Sequence, residues 1–148
     1  MAEQMYSRCW LHLMWGTHGI EKIIPKDVRI ALSEYLYQIA EYKNIDMKTN
    51  YVSSDHLHCL LDLPANRTTG EVATLLKQGT VHWVNKHGLV RSNFRWEDEY
   101  GAFSVSQSKL QETVRYILAQ KEFHRNRSFE TEYREFIKAY KLKYQKAS

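Results

Sequence analysis

Residues 56–63 alternate between two kinds of side chain, and this alternation constrains the fold more than any other feature. His56, His58, Leu60 and Asp62 occupy every second position, whereas the positions between and after them are all apolar: Leu57, Cys59, Leu61 and Leu63. Because successive side chains of a β-strand point to opposite faces, the pattern predicts a strand with one core face. Both imidazoles then share the other face, where they could bind one metal ion. The alternative is that they are ordinary surface histidines on a half-exposed strand.

The composition fits a single domain, residues 1–148, in a reducing compartment. The two cysteines, Cys9 and Cys59, both fall on strand faces predicted to be buried, which favours free thiols. The first residues lack the features of a signal peptide, and no apolar run is long enough to span a membrane. The net charge of +4 permits an acidic partner such as nucleic acid without identifying one. We therefore expect a cytoplasmic protein with no membrane association.

Periodicity and turn signals predict an ordered series of strands and helices. We expect strands over residues 6–15, 45–53, 56–63 and 94–105, and helices over residues 28–44, 68–88, 106–124 and 129–140, followed by a basic tail to residue 148. The order β-α-β-β-α-β is that of the ferredoxin-like, or RRM-like, α+β fold, with an antiparallel sheet and two helices on one face. The first and third strands are then central, and the histidines lie beside Trp10, His12 or Met14 on a face left open for a ligand or partner.

A second polar pair lies on the helix predicted over residues 106–124. Its core stripe is Leu110, Val114, Ile117 and Leu118, whereas Tyr116 and Gln120 lie off that stripe, four residues apart. Residues four apart are neighbours on one helix face, so the tyrosine hydroxyl and the glutamine amide would be presented together. The alternative is a helix flank with an amphipathic tyrosine and a solvated glutamine.

Taken together, the two motifs resemble a known family. Asp-His-Leu-His at 55–58 on a strand, followed by Tyr-Ile-Leu-Ala-Gln at 116–120 on a later helix, is similar to the single-tyrosine (Y1) His-hydrophobic-His transposases of the IS200/IS605 type. Segments 100–106 and 128–133 also resemble members of that family, so the similarity covers nearly the whole chain. The joint occurrence of both motifs in this order is far more specific than either motif alone.

The resemblance implies a metal-dependent DNA transposase. His56, His58 and Gln120 would be the protein ligands of a divalent metal, Mg²⁺ or Mn²⁺, and Tyr116, on the C-terminal helices, would be the nucleophile. The substrate would be single-stranded DNA with a hairpin near the element end, and cleavage would leave a 5′-phosphotyrosine and a free 3′-hydroxyl. The family also implies a homodimer, in which each site combines the histidines of one subunit with the Tyr-Gln helix of the other.

Other residues are candidates for supporting roles. Asp55 adjoins the histidines and could orient one of them, or it could simply form the turn. His124 lies one turn beyond Gln120 and could approach phosphate or metal; many family members have two adjacent histidines here, whereas this chain has Phe123-His124. Several residues could contact DNA or simply be solvated: Arg115, Lys121, Arg125 and Arg127 around the tyrosine helix, and Arg8 and His12 on the first strand.

Three other functions are consistent with the same residues. A domesticated nuclease that processes repeated palindromes would use identical chemistry, and only its genomic neighbourhood would distinguish it. A non-catalytic single-strand-binding module would explain the aromatic residues and basic charge but would leave the two motifs as a coincidence. A structural dimerisation protein with surface histidines would have no affinity for metal.

Overall fold

The computed structural model describes residues 6–140, which form a four-stranded sheet with helices. The elements are β1 (Trp10–Gly16), α1 (Lys26–Tyr42), β2 (Asp46–Val52), β3 (His56–Asp62), α2 (Thr69–Lys86), β4 (Gly101–Val105), α3 (Leu110–Leu118), α4 (Gln120–Phe123) and α5 (Phe129–Ala139), with 3₁₀ turns at His18–Ile20 and Gln107–Lys109. The antiparallel strands are ordered β2-β3-β1-β4, which confirms the ferredoxin-like arrangement with β1 and β3 at the centre. None of the helices in residues 6–140 has the length and hydrophobicity needed to cross a bilayer. The tail predicted beyond residue 140 lies outside the described residues.

One face of the sheet packs against α1 and α2, as the alternation in β3 predicts. Leu57, Cys59 and Leu61 of β3 lie in this core together with Leu13 and Trp15 of β1. The apolar stripe of α1 recurs at helical spacing against the same core (Val28, Leu32, Leu36 and Ala40). The start of α2 is fixed by the predicted capping box at residues 68–71.

The other face of the sheet is covered as well, so the expectation of an open face is wrong. Trp10 and Leu60 pack there with Leu110 and Ile117 of α3. A second cluster joins Met14 and Phe103 to Phe129, at the start of α5. Large apolar side chains such as Trp10 and Met14 gain about 25 cal/mol for each Å² removed from water, which favours a third layer over an exposed sheet. The histidine face of β3 is therefore buried between the sheet and the C-terminal helices.

The strand predicted over residues 94–105 is correct only at its end, because residues 94–100 are irregular. An isolated bridge between Thr17 and Trp96, together with side chains of α2, holds the backbone of this segment in place of a longer strand ladder. The amide of Asn85 bonds the N–H and the carbonyl of Phe94, at 2.8 and 2.9 Å. Lys77 Nζ donates to the carbonyls of Glu97 and Asp98, at 2.6 and 3.0 Å. Regular pairing with β1 begins only at β4.

Smaller differences concern β1 and the tyrosine helix. β1 begins at residue 10 rather than 6, and Cys9 is exposed rather than buried. The helix predicted over 106–124 is interrupted at Ala119, whose ψ of 16° ends α3 before α4 begins. Leu118, at the end of α3, is 56% exposed and does not belong to the core stripe.

Candidate active site

His56 and His58 lie side by side in the interior between the sheet and the C-terminal helices. Their exposed fractions are 1% and 0%, so they are not surface histidines. β3 directs both side chains to the same face, and their ring centroids are 5.2 Å apart. A buried pair of imidazoles must be balanced by polar partners, because an unpaired polar group costs free energy when it is removed from water.

Each of these imidazoles has a partner at Nδ1. His56 Nδ1 lies 2.6 Å from Asp55 Oδ1, so its N–H donates a hydrogen bond to the carboxylate. His58 Nδ1 lies 2.7 Å from Nε2 of His12, which is itself 1% exposed. Asp55 thus contacts a histidine, and its role in orienting that ring stays a prediction, whereas His12, a candidate for DNA contact, is buried. A partner at Nδ1 is the usual arrangement for a histidine that binds a metal through Nε2.

The structure brings Gln120 and His124 to the same place. Gln120 is fully buried, and its Oε1 lies 3.1 Å from His56 Nε2 and 2.8 Å from His124 Nε2. His124 donates from Nδ1 to the carbonyl of Arg127 at 2.6 Å. The predicted residues Asp55, His56, His58, Gln120 and His124 therefore form one cluster.

Glu132 of α5 is the residue that the sequence analysis missed. It is fully buried, and its carboxylate lies 3.2 Å from His58 Nε2 and 3.0 Å from His124 Nε2. It accepts a hydrogen bond from Gln120 Nε2 at 2.9 Å. Burial by itself would raise the pKa of Glu132, but hydrogen bonds from His124 and His58 hold it far below its usual range. One carboxylate thus joins the strand half and the helix half of the site.

A signal for Glu132 was present in the sequence. The inner stripe of α5 is otherwise aromatic at helical spacing: Phe129, Tyr133, Phe136 and, at its C-terminal cap, Tyr140. Position 132 falls three residues after the first of these, on the same face. A carboxylate within an apolar stripe needs a buried partner, and this need indicates a functional or structural site.

Tyr116 lies against this cluster. Its hydroxyl donates to Glu132 Oε2, and its ring is edge-on to His12 and His58, with centroids 6.1 Å away in both cases. Burial raises the pKa of Tyr116 above its ordinary value, and the negative charge of Glu132 adds to this. In this arrangement the phenol is held protonated next to the imidazoles.

The basic residues predicted to contact phosphates are not part of the cluster. Arg115, Lys121 and Arg125 are exposed, and Arg125 pairs with Glu122 at 3.2 Å. Arg8 lies 3.4 Å from Asp46 and 3.5 Å from Asp62, with its guanidinium over the Trp10 ring. Arg127 is exposed as well, and its guanidinium pairs with Glu135 at 2.6 Å. Contact with DNA stays a prediction for all five basic residues.

Both halves of the site come from one chain. The predicted arrangement, in which the histidines and the Tyr-Gln helix of one site belong to different subunits of a homodimer, stays a prediction. The connection between β4 and α3 is a single turn at Gln107–Lys109, and α3 then packs on β2 and β3 of its own sheet. So short a connection brings Tyr116 and Gln120 onto the histidines of the same chain.

The cluster has the chemistry of a metal site. Nitrogen or oxygen atoms of His56, His58, His124 and Glu132 all lie within 4.8 Å of one another. His56 and His124 donate from Nδ1 to Asp55 and to a carbonyl, so in their neutral forms each directs a lone pair from Nε2 toward Gln120 Oε1. Facing lone pairs repel unless a cation lies between them, either an added proton or a metal ion. The residues present thus fit a divalent metal.

The metal-free protein should lose stability when the pH falls from 7 to 5. Burial lowers the pKa of both His12 and His58, so the unfolded chain binds protons that the folded chain does not. Their contribution is complete above the unfolded pKa of about 6.5 and is lost as the pH falls below it, by at most about 1.4 kcal/mol per pH unit for each histidine. Urea unfolding in EDTA at both pH values measures the change.

His124 acts in the opposite direction and is the internal control. Burial lowers its pKa, but the hydrogen bond with Glu132 outweighs this and raises it overall, so its contribution is lost as the pH rises. His124→Asn should therefore steepen the loss on acidification. A free energy of unfolding that rises between pH 7 and 5 in the unsubstituted protein would contradict the assignment of buried neutral histidines.

The fold and the cluster define a class: a ferredoxin-like protein whose sheet carries a buried group of metal-type ligands beside a tyrosine. The chain belongs to the family of IS200-like transposases, because the model of that family, "Transposase IS200 like", matches residues 5–120. The resemblance seen in the motifs is thereby confirmed. His124, Glu132 and all of α5 lie beyond the matched residues.

Two solved structures have similar folds. The first is described as a transposase from Deinococcus radiodurans R1; it is 20% identical with a TM-score of 0.60, and the match covers 81% of this chain and 96% of that one. The second is a REP-associated tyrosine transposase bound to a REP hairpin; it is 14% identical with a TM-score of 0.61, and the match covers 84% of this chain and 74% of that one. Among curated proteins, none matches the chain.

Proposed function

We propose that this transposase cleaves and rejoins single-stranded DNA through a 5′-phosphotyrosine intermediate on Tyr116, with a divalent metal held by the buried cluster. The observation that carries the proposal is the contact between the Tyr116 hydroxyl and Glu132, whose carboxylate also lies 3.2 Å from His58 and 3.0 Å from His124. A nucleophile and a set of metal ligands are thus joined by one side chain. The family of the chain supports the same reading.

The proposed cleavage is a displacement at phosphorus. Tyr116 Oη gives its proton to solvent and forms a bond to the phosphorus atom, the bond from phosphorus to the 3′ oxygen breaks, and that oxygen takes a proton from solvent. A bound metal would offset the negative charge of the phosphodiester, which otherwise repels a nucleophile. The aryl phosphate keeps the free energy of the broken bond, so a 3′-hydroxyl can later reverse the reaction and release Tyr116 without another energy source.

We assign the metal to His56, His58, His124 and Glu132, with the Gln120 amide oxygen as a further candidate ligand. Asp55 and the Arg127 carbonyl orient two of the imidazoles. Three imidazole nitrogens and a carboxylate suit Mn²⁺ better than Mg²⁺, which prefers oxygen ligands and retains water. We therefore expect Mn²⁺ to bind more tightly than Mg²⁺.

The proposed substrate is single-stranded DNA with a hairpin near the cleaved end. One structural relative is a tyrosine transposase bound to a REP hairpin, and the chain carries a net charge of +4. Within the cluster, His124 and Tyr116 are the members that are only partly buried, so we place the approach of the DNA on their side. If this chain forms the predicted homodimer, each subunit carries a complete cluster.

Detection of the covalent adduct tests this proposal. The protein is mixed with labelled hairpin DNA taken from the flanks of its own gene, with Mn²⁺, and separated on a denaturing gel. We expect a labelled protein band that requires Mn²⁺ and that disappears in EDTA. Tight binding of the same DNA without any adduct would overturn the proposal in favour of a non-catalytic binding module.

Metal binding predicts a rise in thermal stability. At an Mn²⁺ concentration 100 times its dissociation constant, binding to the folded state alone adds about 2.7 kcal/mol. Calorimetry should therefore show a higher Tm with Mn²⁺ and a smaller rise at the same concentration of Mg²⁺. The double variant His56→Ala/His58→Ala is the control and should show no rise. An equal rise in that variant would place the metal elsewhere.

A further inference from the structure

His12 is buried beside the cluster, but it is neither the proposed nucleophile nor one of the proposed metal ligands. It lies on β1, and its neighbour on the same face, Met14, is paired with His58 in the sheet. Its Nε2 is 2.7 Å from His58 Nδ1, and the two ring centroids are 5.0 Å apart. Within the part of the chain that the structure describes, this is the only hydrogen bond of the His12 side chain.

The surroundings of His12 favour a neutral ring. Aromatic rings contact it edge-on: Phe103 at 6.4 Å, Tyr116 at 6.1 Å and Phe136 at 5.1 Å between centroids. The ring is buried, and burying a charge among apolar groups is costly. A neutral imidazole has one N–H and one lone pair, so His12 can either accept a hydrogen bond from His58 or donate one to it.

The other two histidines of the cluster indicate the direction of the hydrogen bond between His12 and His58 when the cluster holds a metal. His56 Nδ1 faces the carboxylate of Asp55, and His124 Nδ1 faces the carbonyl of Arg127. In both cases Nδ1 carries the proton and leaves the Nε2 lone pair for the centre of the cluster. In this structure, His58 Nε2 instead lies 3.2 Å from the Glu132 carboxylate, which can only accept a hydrogen bond, so Nε2 carries the proton there. When Nε2 binds a metal, a neutral His58 must carry its proton on Nδ1, and His12 Nε2, 2.7 Å away, is then the acceptor.

We propose that His12 is a positioning residue: it accepts a hydrogen bond from the Nδ1–H of His58 and thereby holds the Nε2 lone pair of His58 toward the metal. This inference rests on the metal site of the proposed function. A carboxylate at position 12 would also accept the proton, but it would add a second buried negative charge beside Glu132, among aromatic rings. An imidazole accepts without a charge, which suits this environment.

Two substitutions separate positioning from packing. His12→Gln retains an acceptor near the place of Nε2, whereas His12→Phe retains the bulk and removes the acceptor. We expect the affinity for Mn²⁺, measured by titration calorimetry, to fall about 10- to 100-fold in His12→Phe, the range seen when such outer partners are lost. In His12→Gln it should stay within about threefold of the unsubstituted protein. Met14→Leu, which alters packing on the same face, should leave the affinity unchanged.

The tautomer of His58 gives an independent readout. Long-range ¹H–¹⁵N spectra of the Zn²⁺-loaded protein, with Zn²⁺ as the diamagnetic probe, should show a proton on Nδ1 and none on Nε2. A proton on Nε2 of His58 would overturn the inference, and so would a folded His12→Phe that binds Mn²⁺ as the unsubstituted protein does. If His12→Phe fails to fold, the spectrum and His12→Gln still decide the question. If the unsubstituted protein forms no DNA adduct but the Mn²⁺ affinities and the His58 tautomer are as expected, only the proposed cleavage of DNA is refuted.

Discussion

Replacing Tyr116 with phenylalanine should abolish the covalent protein–DNA adduct, with a loss of at least about 1,000-fold, because the oxygen proposed to attack phosphorus is removed. The ring remains, so its packing against His58 and Phe136 should persist. Binding of hairpin DNA and of Mn²⁺ should therefore stay close to that of the unsubstituted protein. Quantification of the adduct on a denaturing gel, beside fluorescence anisotropy for binding, measures both quantities.

Tyr133→Phe is the matched control for this experiment. Tyr133 is also partly buried and packs on Phe129, but its hydroxyl makes no hydrogen bond to the cluster among the described residues. We expect its adduct to form at the unsubstituted rate. If Tyr116→Phe still forms an adduct, mass spectrometry of the DNA-linked peptide will identify a different nucleophile, and the assignment of Tyr116 is then wrong.

The sheet was predictable because its signals are local. The alternation in residues 56–63 correctly separates the core face, with Leu57 and Leu61, from the histidine face. The open second face was a wrong inference, although the same alternation places Trp10 and Met14 there. A face with such large apolar side chains needs a cover, and a third layer was the consistent prediction.

The complete cluster was less predictable because it depends on contacts between distant segments. Glu132 lies 74 residues from His58 in sequence, and no motif connects them. Likewise, His12 belongs to the site through a contact with His58 across the two central strands, which local patterns do not encode. The motifs and their neighbours predicted that Tyr116, His56, His58, Gln120, Asp55 and His124 would form the site, whereas the places of Glu132 and His12 required the fold.

Glu132→Gln should have the second large effect, on metal affinity and stability together. An amide cannot replace a carboxylate that faces both His58 and His124, so the affinity for Mn²⁺ should fall by at least about 100-fold and the adduct should be lost. In the metal-free protein at pH 7, removal of one member of a buried charged group should cost about 3 kcal/mol of the free energy of unfolding. Titration calorimetry and urea unfolding measure these changes.

The pH dependence of the stability of Glu132→Gln shows whether the lost free energy of unfolding comes from the carboxylate charge. Because the pKa of Glu132 is depressed in the folded protein, its contribution is complete above its unfolded pKa of about 4.3 and is lost as the pH falls further. The difference in stability between Glu132→Gln and the unsubstituted protein should therefore shrink below pH 4. Glu130→Gln, an exposed change on the same helix, should alter neither stability nor metal affinity. If Glu132→Gln binds Mn²⁺ as tightly as the unsubstituted protein, the carboxylate only holds α5 in place and is not a ligand.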